Sequence, residues 1–307
     1  MSVPGTPHVD LKAPPSALRE ALASACAQWG FFQVSNHGID AQLLQSALGA
    51  SEAFFRLPLN DKQALSRSEA QPWGYYDREL TKNLRDRKEI FDAGHTGDVP
   101  WPDKVAHFAT IARTFGAAAH ALAVRLSVLI AQALQLPPQP AQRLMDQHSS
   151  FTRFNHYPVE DLLAGSTRAP TAGPLGISHH TDAGVLTILL QDGVSGLQMQ
   201  HQGQWMDVPA LPGTLTVNLG DMFQVWANDH IQAPVHRVLA STATERFSIA
   251  YFLNPAEDGV IAPLLAAESS GRARYEPIAW SEFRGLRALG DYGDYGDEVQ
   301  IGHYRRQ

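Results

Sequence analysis

Three short segments of the chain contain side chains whose types and spacing suit metal chemistry. His180 and Asp182 stand two positions apart, and His236 lies in a separate apolar segment well downstream. Two imidazoles and one carboxylate form the ligand set of a facial triad, which leaves positions open on a ferrous ion for oxygen chemistry. Arg246 and Ser248 follow, again two positions apart, and a guanidinium beside a hydroxyl suits a carboxylate ligand. These residue types predict an iron site with an anion site beside it.

The spacing of the first two ligands has a structural reason if they lie on a β-strand. Residues i and i+2 of a strand point to the same face, so His180 and Asp182 would reach one metal while Thr181 faces away. Residues 185–190 and 234–239 are rich in residue types that favour strands. We therefore expect one strand to supply the first two ligands and a distant strand of an antiparallel barrel to supply the third.

His179 is a competing ligand because it adjoins His180 and offers the same imidazole. A His-x-Asp pattern is also common by chance, and a lone histidine beside an apolar strand is more often structural than a metal ligand. The residue two positions after His179 is Thr181, however, and threonine is a poor ligand for iron. We expect His180, and not His179, to bind the metal.

The order of motifs along the chain resembles that of the iron(II)/2-oxoglutarate-dependent dioxygenases. The resemblance is to the branch that includes isopenicillin N synthase, plant flavonoid and gibberellin oxygenases, and 1-aminocyclopropane-1-carboxylate oxidase. Residues 180–192 resemble its metal-binding segment, and residues 155–158 resemble its N-x-Y-P element. The other matching elements are residues 29–39, 54–58, 196–198, 213–221, 226–229, 236–238, 246–248 and 252–255. The resemblance extends from about residue 8 to residue 304.

The resemblance implies a fold that is mainly β with flanking α-helices, built on a double-stranded β-helix of the jelly-roll, cupin-like type. It also implies the roles of seven residues. Fe(II) would be held by His180, Asp182 and His236. The cosubstrate 2-oxoglutarate would be held by Arg246, Ser248, Tyr157 and Asn155. With O2, such an enzyme decarboxylates 2-oxoglutarate to succinate and CO2 while it oxidises, and usually hydroxylates, a small organic substrate.

The substrate itself is not encoded in the fold or in the metal motif. By resemblance, the substrate pocket would be lined by the N-terminal region, the segment around residues 73–93 and the C-terminal tail. Tyr75, Tyr76 and Phe91 are the candidate lining residues within that segment. Hydroxylation, desaturation and ring closure all remain open for this chemistry.

Two other functions remain open at this point. The first is an iron(II) oxidase on the same scaffold that does not consume 2-oxoglutarate, as in isopenicillin N synthase and the aminocyclopropane oxidase. The Arg-x-Ser pattern does not separate this enzyme from a dioxygenase, because those relatives use it for other carboxylates. The second is a non-catalytic, cupin-like binding protein, which would need neither the ligand triad nor the anion site.

The helices are expected to come first along the chain. Apolar residues at helical spacing predict helices between residues 15 and 29, 43 and 55, and 103 and about 136. We expect one domain over residues 1–307, with a helix-rich region at 1–150, the catalytic jelly roll at 151–255 and a C-terminal helix and tail at 256–307. Gly and Asp dominate residues 291–297, which predicts a turn-rich loop.

Composition limits the partners and the compartment. The chain has 24 basic and 31 acidic residues, a net charge of −7, which argues against binding to nucleic acid or to an anionic membrane. No apolar run looks long enough to span a bilayer, and no signal peptide is visible. Cys26 is the only cysteine, which suits a reducing cytoplasm. We expect a cytoplasmic enzyme with a small-molecule substrate; the oligomeric state is not indicated.

Overall fold

A computed structural model describes residues 5–68, 70–81, 84–95, 97–164, 172–240, 243–264, 272–289 and 299–307 of the 307. The predicted loop at residues 291–297 lies outside the described residues. The strands are β1 His8–Asp10, β2 Phe31–Ser35, β3 Gly74–Tyr76, β4 Leu80–Thr81, β5 Leu84–Arg85, β6 Glu89–Gly94, β7 Phe151–Tyr157, β8 Leu175–His180, β9 Leu186–Gln191, β10 Leu197–His201, β11 Gln204–Asp207, β12 Leu215–Leu219, β13 His236–Leu239, β14 Arg246–Leu253, β15 Val260–Ile261 and β16 Ile278–Ala279. The helices are α1 Pro15–Gln28, α2 Ala41–Phe55, α3 Leu59–Gln63, α4 Phe108–Ala133, α5 Gln139–Arg143, α6 Asp221–Trp226, α7 Trp280–Leu289 and a 3₁₀ helix at Ile301–Tyr304.

Two sheets form the body of the fold. The larger has eight strands in the order β1-β2-β12-β9-β14-β7-β6-β3, and the smaller has four in the order β11-β10-β13-β8. Buried side chains from both sheets, Phe31, Tyr157, Leu197, Met199 and Val238, pack together between them. The predicted double-stranded β-helix, mainly β with flanking helices, is confirmed.

Strands that are buried on both faces occupy the centre of the larger sheet. Seven of the eight residues of β14 are buried. One face of β14 is turned toward the cavity between the sheets, where Arg246 and Ser248 line it, and α2 and α4 pack against the strand. Alternation of polar and apolar residues is therefore weak here, as expected for a covered strand.

The longest helix, α4, spans Phe108–Ala133. By length and composition alone, α4 could cross a membrane, and it is the one helix among the described residues that could. The expectation that no apolar run reaches that length is therefore wrong. Half of its most apolar stretch is buried within the fold. It packs against α1, α2 and β14, as the core helix of a two-layer fold does.

Candidate active site

The structure brings the three predicted metal ligands together at one end of the smaller sheet. His180 is the last residue of β8, His236 is the first residue of β13, and the two strands pair so that these residues stand opposite each other. Their ring centroids are 4.4 Å apart. Asp182 Oδ1 lies 3.6 Å from Nε2 of each histidine. Two imidazoles and a carboxylate are thus directed at one point.

One detail of the sequence-based prediction is wrong. His180 and Asp182 do not share a strand, because β8 ends at His180 and Asp182 lies in the turn that follows. The turn, and not the i, i+2 alternation of a strand, brings the carboxylate to the imidazoles. His179 is exposed, and its ring lies edge-on to Trp205 at 6.4 Å, on the other side of the strand.

Backbone carbonyls determine which nitrogen of each histidine can accept a metal. His180 Nδ1 lies 2.8 Å from Ser178 O, and His236 Nδ1 lies 3.0 Å from Pro234 O. A carbonyl only accepts hydrogen bonds, so both Nδ1 atoms carry the proton and both Nε2 atoms present a lone pair. Burial lowers the pKa of His180 to about 3, with a further contribution from His236. The neutral imidazole is the form that binds a metal.

The two oxygens of Asp182 have different surroundings. Oδ2 accepts hydrogen bonds from Thr187 Oγ1 at 2.5 Å and from Asn218 Nδ2 at 2.8 Å, while Oδ1 faces the histidines. Burial alone would raise the pKa of Asp182, but the two imidazoles and these two hydrogen bonds lower it below its usual value. The side chain is therefore an oriented carboxylate with one oxygen left for a metal.

The turn that contains Asp182 is held by backbone hydrogen bonds from the first residues of α6. Asp221 N donates to Asp182 O at 2.8 Å, and Met222 N donates to Gly184 O at 3.0 Å. Gly220 permits this approach, because a Cβ at position 220 would clash with the carbonyl oxygen of Gly184. The conformation of the ligand turn thus depends on a backbone contact that only a glycine allows.

The predicted anion site lies on two paired strands next to the metal ligands. In the register of β14 with β7, Arg246 stands opposite Tyr157 and Ser248 stands opposite Asn155. Opposite residues of an antiparallel pair share a face, so all four point the same way. The guanidinium of Arg246 lies 5.0 Å from the centre of the Tyr157 ring. All four residues are buried.

Two hydrogen bonds hold the guanidinium of Arg246, and one of its nitrogens remains available as a donor. Its Nε donates to Val194 O at 3.3 Å and its Nη2 to Gln191 Oε1 at 3.1 Å, while Nη1 is buried without a partner among the described residues. Asn155 Oδ1 is likewise buried and unpartnered. Buried polar atoms are normally satisfied. An orphaned guanidinium nitrogen beside a triad of metal ligands fits a carboxylate-bearing group such as 2-oxoglutarate, and the donor set fits Fe(II).

The site opens into a cavity of about 1140 Å³ that extends toward α7 and the C-terminal tail. Its lining includes the aromatic rings of Trp73, Phe151 and Phe252, and Phe151 stacks on Phe252 with ring centroids 4.9 Å apart. The guanidinium of Arg284 lies 5.4 Å from the centre of the Phe151 ring. The cationic lining residues are Arg67, Lys88, Arg153, Arg246, Arg284 and Arg287, and they outnumber the anionic ones, Glu79, Asp92, Asp182 and Glu257.

The three residues named as substrate-pocket candidates do not line this cavity. Phe91 is fully buried among the rings of Phe54 and Phe108, and the hydroxyl of Tyr75 donates to Glu89 at 2.7 Å in the interior. Tyr76 lies on the opposite face of β3 from Tyr75, and the guanidinium of Arg67 lies 4.3 Å from the centre of the Tyr76 ring. None of the three is among the residues that line the cavity, so the prediction for them is wrong.

A buried ionic cluster forms one wall of the cavity. Its cations are Arg67, Lys88 and Arg153, and its anions are Glu79, Asp86 and Asp92. Arg153 forms a bidentate pair with Asp92, at 2.7 and 2.8 Å. Burial alone would raise the pKa of Glu79, but the three cations hold it well below its usual value. The sequence analysis missed this cluster, whose charges come from separate segments.

The sequence analysis also missed the residues that orient the ligands. Thr187 and Asn218 lie within motifs that the sequence identified, but nothing in the motifs indicates that both bond the same oxygen of Asp182. Gln191 accepts a hydrogen bond from Arg246, but in the sequence it is only the polar residue that ends an apolar strand. A polar residue at a buried strand position was the available signal, since such groups are usually paired.

Comparison with known proteins identifies the family of the chain. Residues 148–255 match the family model of the 2OG-Fe(II) oxygenase superfamily, and residues 6–109 match that of the non-haem dioxygenase in morphine synthesis N-terminal region. The chain is 31% identical to jasmonate-induced oxygenase 4 of Arabidopsis thaliana, over 90% of this chain and 79% of the relative. It is 31% identical to gibberellin 3-beta-dioxygenase 2-1 of Triticum aestivum, over 92% of this chain and 78% of the relative.

A solved structure extends the similarity to three dimensions. The crystal structure of JOX2 in complex with 2OG, Fe and JA superposes with a TM-score of 0.85 at 28% identity, covering 99% of this chain and 90% of that one. The chain belongs to the 2OG-Fe(II) oxygenase superfamily. It is an Fe(II)/2-oxoglutarate-dependent dioxygenase, which couples oxidative decarboxylation of 2-oxoglutarate to oxidation of a small organic substrate.

Proposed function

We propose that His180, Asp182 and His236 hold the iron of this dioxygenase through Nε2, Oδ1 and Nε2. The observation that supports this most strongly is the position of Asp182 Oδ1, 3.6 Å from each Nε2, while Oδ2 is already occupied by Thr187 and Asn218. When bound there, the iron supplies activation of O2 for attack on a C–H bond.

The neighbouring residues hold 2-oxoglutarate in this proposal. Arg246 pairs its unpartnered Nη1 with the distal carboxylate, and Ser248, on the same face of β14, donates to it as well. Tyr157 and Asn155 lie opposite them on β7 and limit where the rest of the molecule can lie. Because the four side chains are buried, water is excluded from the charge pair, and the contact is stronger than it would be at the surface.

The proposed substrate is a small organic anion with an apolar body, and the proposed reaction is its hydroxylation. The rings of Trp73, Phe151 and Phe252 support the apolar body. The guanidinium of Arg284 lines the same cavity, 5.4 Å from the centre of the Phe151 ring, and this position beside the aromatic rings supports its assignment as the contact for the substrate anion. One relative is named for gibberellin, and the similar crystal structure contains JA.

A screen of matched substrates tests this proposal. Carboxylic acids with apolar bodies are compared with their methyl esters, and succinate and the oxygenated product are quantified. We expect the acids to stimulate succinate formation and to gain one oxygen atom, whereas the esters stimulate it weakly. Arg284→Gln should raise KM for an acid and leave the esters unaffected, while Arg125→Gln, an exposed change on α4, should alter neither. Equal turnover of acids and esters would contradict the anionic substrate.

A further inference from the structure

Arg287 of α7 contacts both the metal-ligand turn and the C-terminal tail. Its Nη2 donates to Thr181 O at 2.9 Å, and Thr181 lies between His180 and Asp182. Its Nη1 donates to Gln300 Oε1 at 3.0 Å. We propose that Arg287 is a positioning residue that holds the metal-ligand turn in its binding conformation and couples that turn to the tail. The proposal rests on the metal site assigned above.

The contact with the turn completes a clamp on two consecutive carbonyls. Asp221 N donates to Asp182 O at 2.8 Å, and Arg287 donates to Thr181 O at 2.9 Å. The carboxylate of Asp221 in turn accepts from Arg287 Nη1 at 3.3 Å. Arg287 of α7 therefore holds the peptide before the Cα of Asp182, and α6 holds the peptide after it. Together the two peptides direct the Asp182 side chain at the imidazoles.

The guanidinium of Arg287 is itself held in a fixed position by a shielded ion pair and an aromatic ring. It is 11% exposed and its counter-ion Asp221 is 2% exposed, so the pair is shielded from solvent. The guanidinium also lies 5.8 Å from the ring centre of Phe283, one helical turn earlier in α7. A planar fork with several donors suits simultaneous contacts with a carbonyl, a carboxylate and an amide, which an ammonium group cannot all make in one plane.

The tail is connected to α7 at more than one point. Arg287 holds Gln300 and also lies 3.4 Å from Val299 O, and the Tyr304 ring packs edge-on against Phe283 at 6.0 Å. Val299, Gln300 and His303 line the cavity. Metal binding that stiffens the ligand turn should therefore also order the tail where it lines the cavity, and the coupling must work in both directions.

The test measures metal affinity and tail exchange in the full-length protein, with Fe(II) as the probe in the absence of oxygen. Calorimetric titration should show that Arg287→Met binds Fe(II) at least about ten-fold more weakly than wild type, since partners that orient metal ligands typically affect affinity by about 10- to 100-fold. Arg287→Lys should recover part of the loss. In wild type, Fe(II) should slow amide exchange in residues 299–307, and in Arg287→Met this protection should be lost.

Arg305→Gln is the matched control, because Arg305 anchors the tail to Asp229 at 2.8 Å and to Tyr275 without contacting the turn. It should speed tail exchange and weaken Fe(II) binding by no more than about two-fold, about 0.4 kcal/mol, because it leaves the contact between Arg287 and the turn in place. An unchanged unfolding temperature of metal-free Arg287→Met would show that the fold is intact. If that temperature falls, Fe(II) affinity and tail exchange are compared between wild type and Arg287→Lys instead.

The outcomes separate this proposal from the metal site itself. If wild type binds no Fe(II), both are overturned. If wild type binds Fe(II) and Arg287→Met binds it equally well with tail protection retained, only the role of Arg287 is overturned. An effect confined to the KM of the organic substrate, with Fe(II) affinity unchanged, would make Arg287 a substrate contact and would also overturn it.

Discussion

At Asp182, each carboxylate oxygen has its own set of neighbours. Oδ2 is held by Thr187 and Asn218, and Oδ1 is left facing His180 and His236. Two hydrogen bonds to one oxygen fix the plane of the group and keep it ionised, which a metal ligand requires. The sequence identified this carboxylate and both imidazoles, because residue type and order are visible in a sequence. It did not identify the two donors, because their shared target exists only after β9 and β12 pair.

The first prediction concerns the identity of the ligands. Asp182→Ala removes the only carboxylate of the triad and should reduce bound Fe(II) from about one per chain to nearly none, since a charged ligand is lost from a buried site. His179→Ala should keep full stoichiometry because its ring lies beside Trp205. Metal content after anaerobic loading and desalting provides the measurement. Retention of iron by His180→Ala together with its loss from His179→Ala would show that the ligand assignment is wrong.

The second prediction concerns Arg246, whose unpartnered Nη1 is assigned to the cosubstrate. Arg246→Ala should weaken 2-oxoglutarate binding by about ten- to a hundred-fold, because a hydrogen bond to a charged group contributes about 1.5–3 kcal/mol. Arg246→Lys should recover only part, since a point charge does not reproduce the fork. Calorimetry of Fe(II)-loaded protein without oxygen measures this, with Fe(II) affinity itself as the internal control. Unchanged affinity for 2-oxoglutarate would place the anion site elsewhere.

At the scale of the elements, strand pairing assembles the site. The β8–β13 register sets His180 opposite His236, and the β14–β7 register sets Arg246 opposite Tyr157. Strand-forming segments were predictable from local residue types, whereas the point where a strand ends depends on its partner. For this reason Asp182 was placed on a strand that in fact stops two residues earlier.

For the substrate pocket, the predicted segment at residues 73–93 and the tail do supply lining residues, but the side chains named within the segment do not, for a related reason. Tyr75 and Phe91 belong to short strands, and a sequence does not show which face of β3 and β6 will be covered by helices. The rings that do line the cavity, Trp73, Phe151 and Phe252, come from three distant segments, and Arg284 comes from a fourth. Only the tertiary fold brings them together.

The third prediction tests the contact between α6 and the ligand turn. Gly220→Ala would place a methyl group 2.9 Å from Asp182 O and closer still to Gly184 O, so backbone must move. We expect a loss of about 1–3 kcal/mol in the free energy of unfolding, as for other overpacked sites, with weaker Fe(II) binding. Urea unfolding and metal titration measure the two effects. Gly49→Ala is the control: it is exposed on α2, its Cβ would meet nothing within 4 Å, and it should stabilise slightly. Equal behaviour of the two variants would contradict the role of Gly220.

At the scale of the whole molecule, buried charges connect segments that lie far apart in the chain. Glu79 and Lys88 come from the first half of the chain, and Arg153 comes from β7. Such a cluster costs desolvation, but removing one member leaves the others buried and uncompensated. The cytoplasmic location and the lack of nucleic-acid or membrane partners stay predictions from composition.

The fourth prediction follows from the lowered pKa of Glu79. A carboxyl group whose pKa is lower in the folded state stabilises the fold fully above its unfolded pKa, roughly 4.3, and loses that contribution as the pH falls through its folded pKa. Glu79→Gln should lower the free energy of unfolding at pH 7 by about 3–5 kcal/mol and should flatten its decline in acid. Urea unfolding from pH 7 down through the unfolded pKa, roughly 4.3, measures the free energy of unfolding and its decline in acid. Glu52→Gln, which breaks an exposed pair with Arg56, should cost no more than about 0.5 kcal/mol. A Glu79 variant as stable as the Glu52 variant would contradict the stabilising role of the cluster.

The central claim is that this chain consumes 2-oxoglutarate at the His180, Asp182 and His236 site, and succinate formation tests it most directly. Purified protein is supplied with Fe(II), 2-oxoglutarate and O2, with and without an accepted substrate, and succinate is quantified for wild type, His179→Ala and Asp182→Ala. We predict succinate that depends on Fe(II) and O2 and rises with substrate for wild type and His179→Ala, and none above background for Asp182→Ala. Substrate oxidation by wild type without succinate, or equal succinate from Asp182→Ala, would contradict the account.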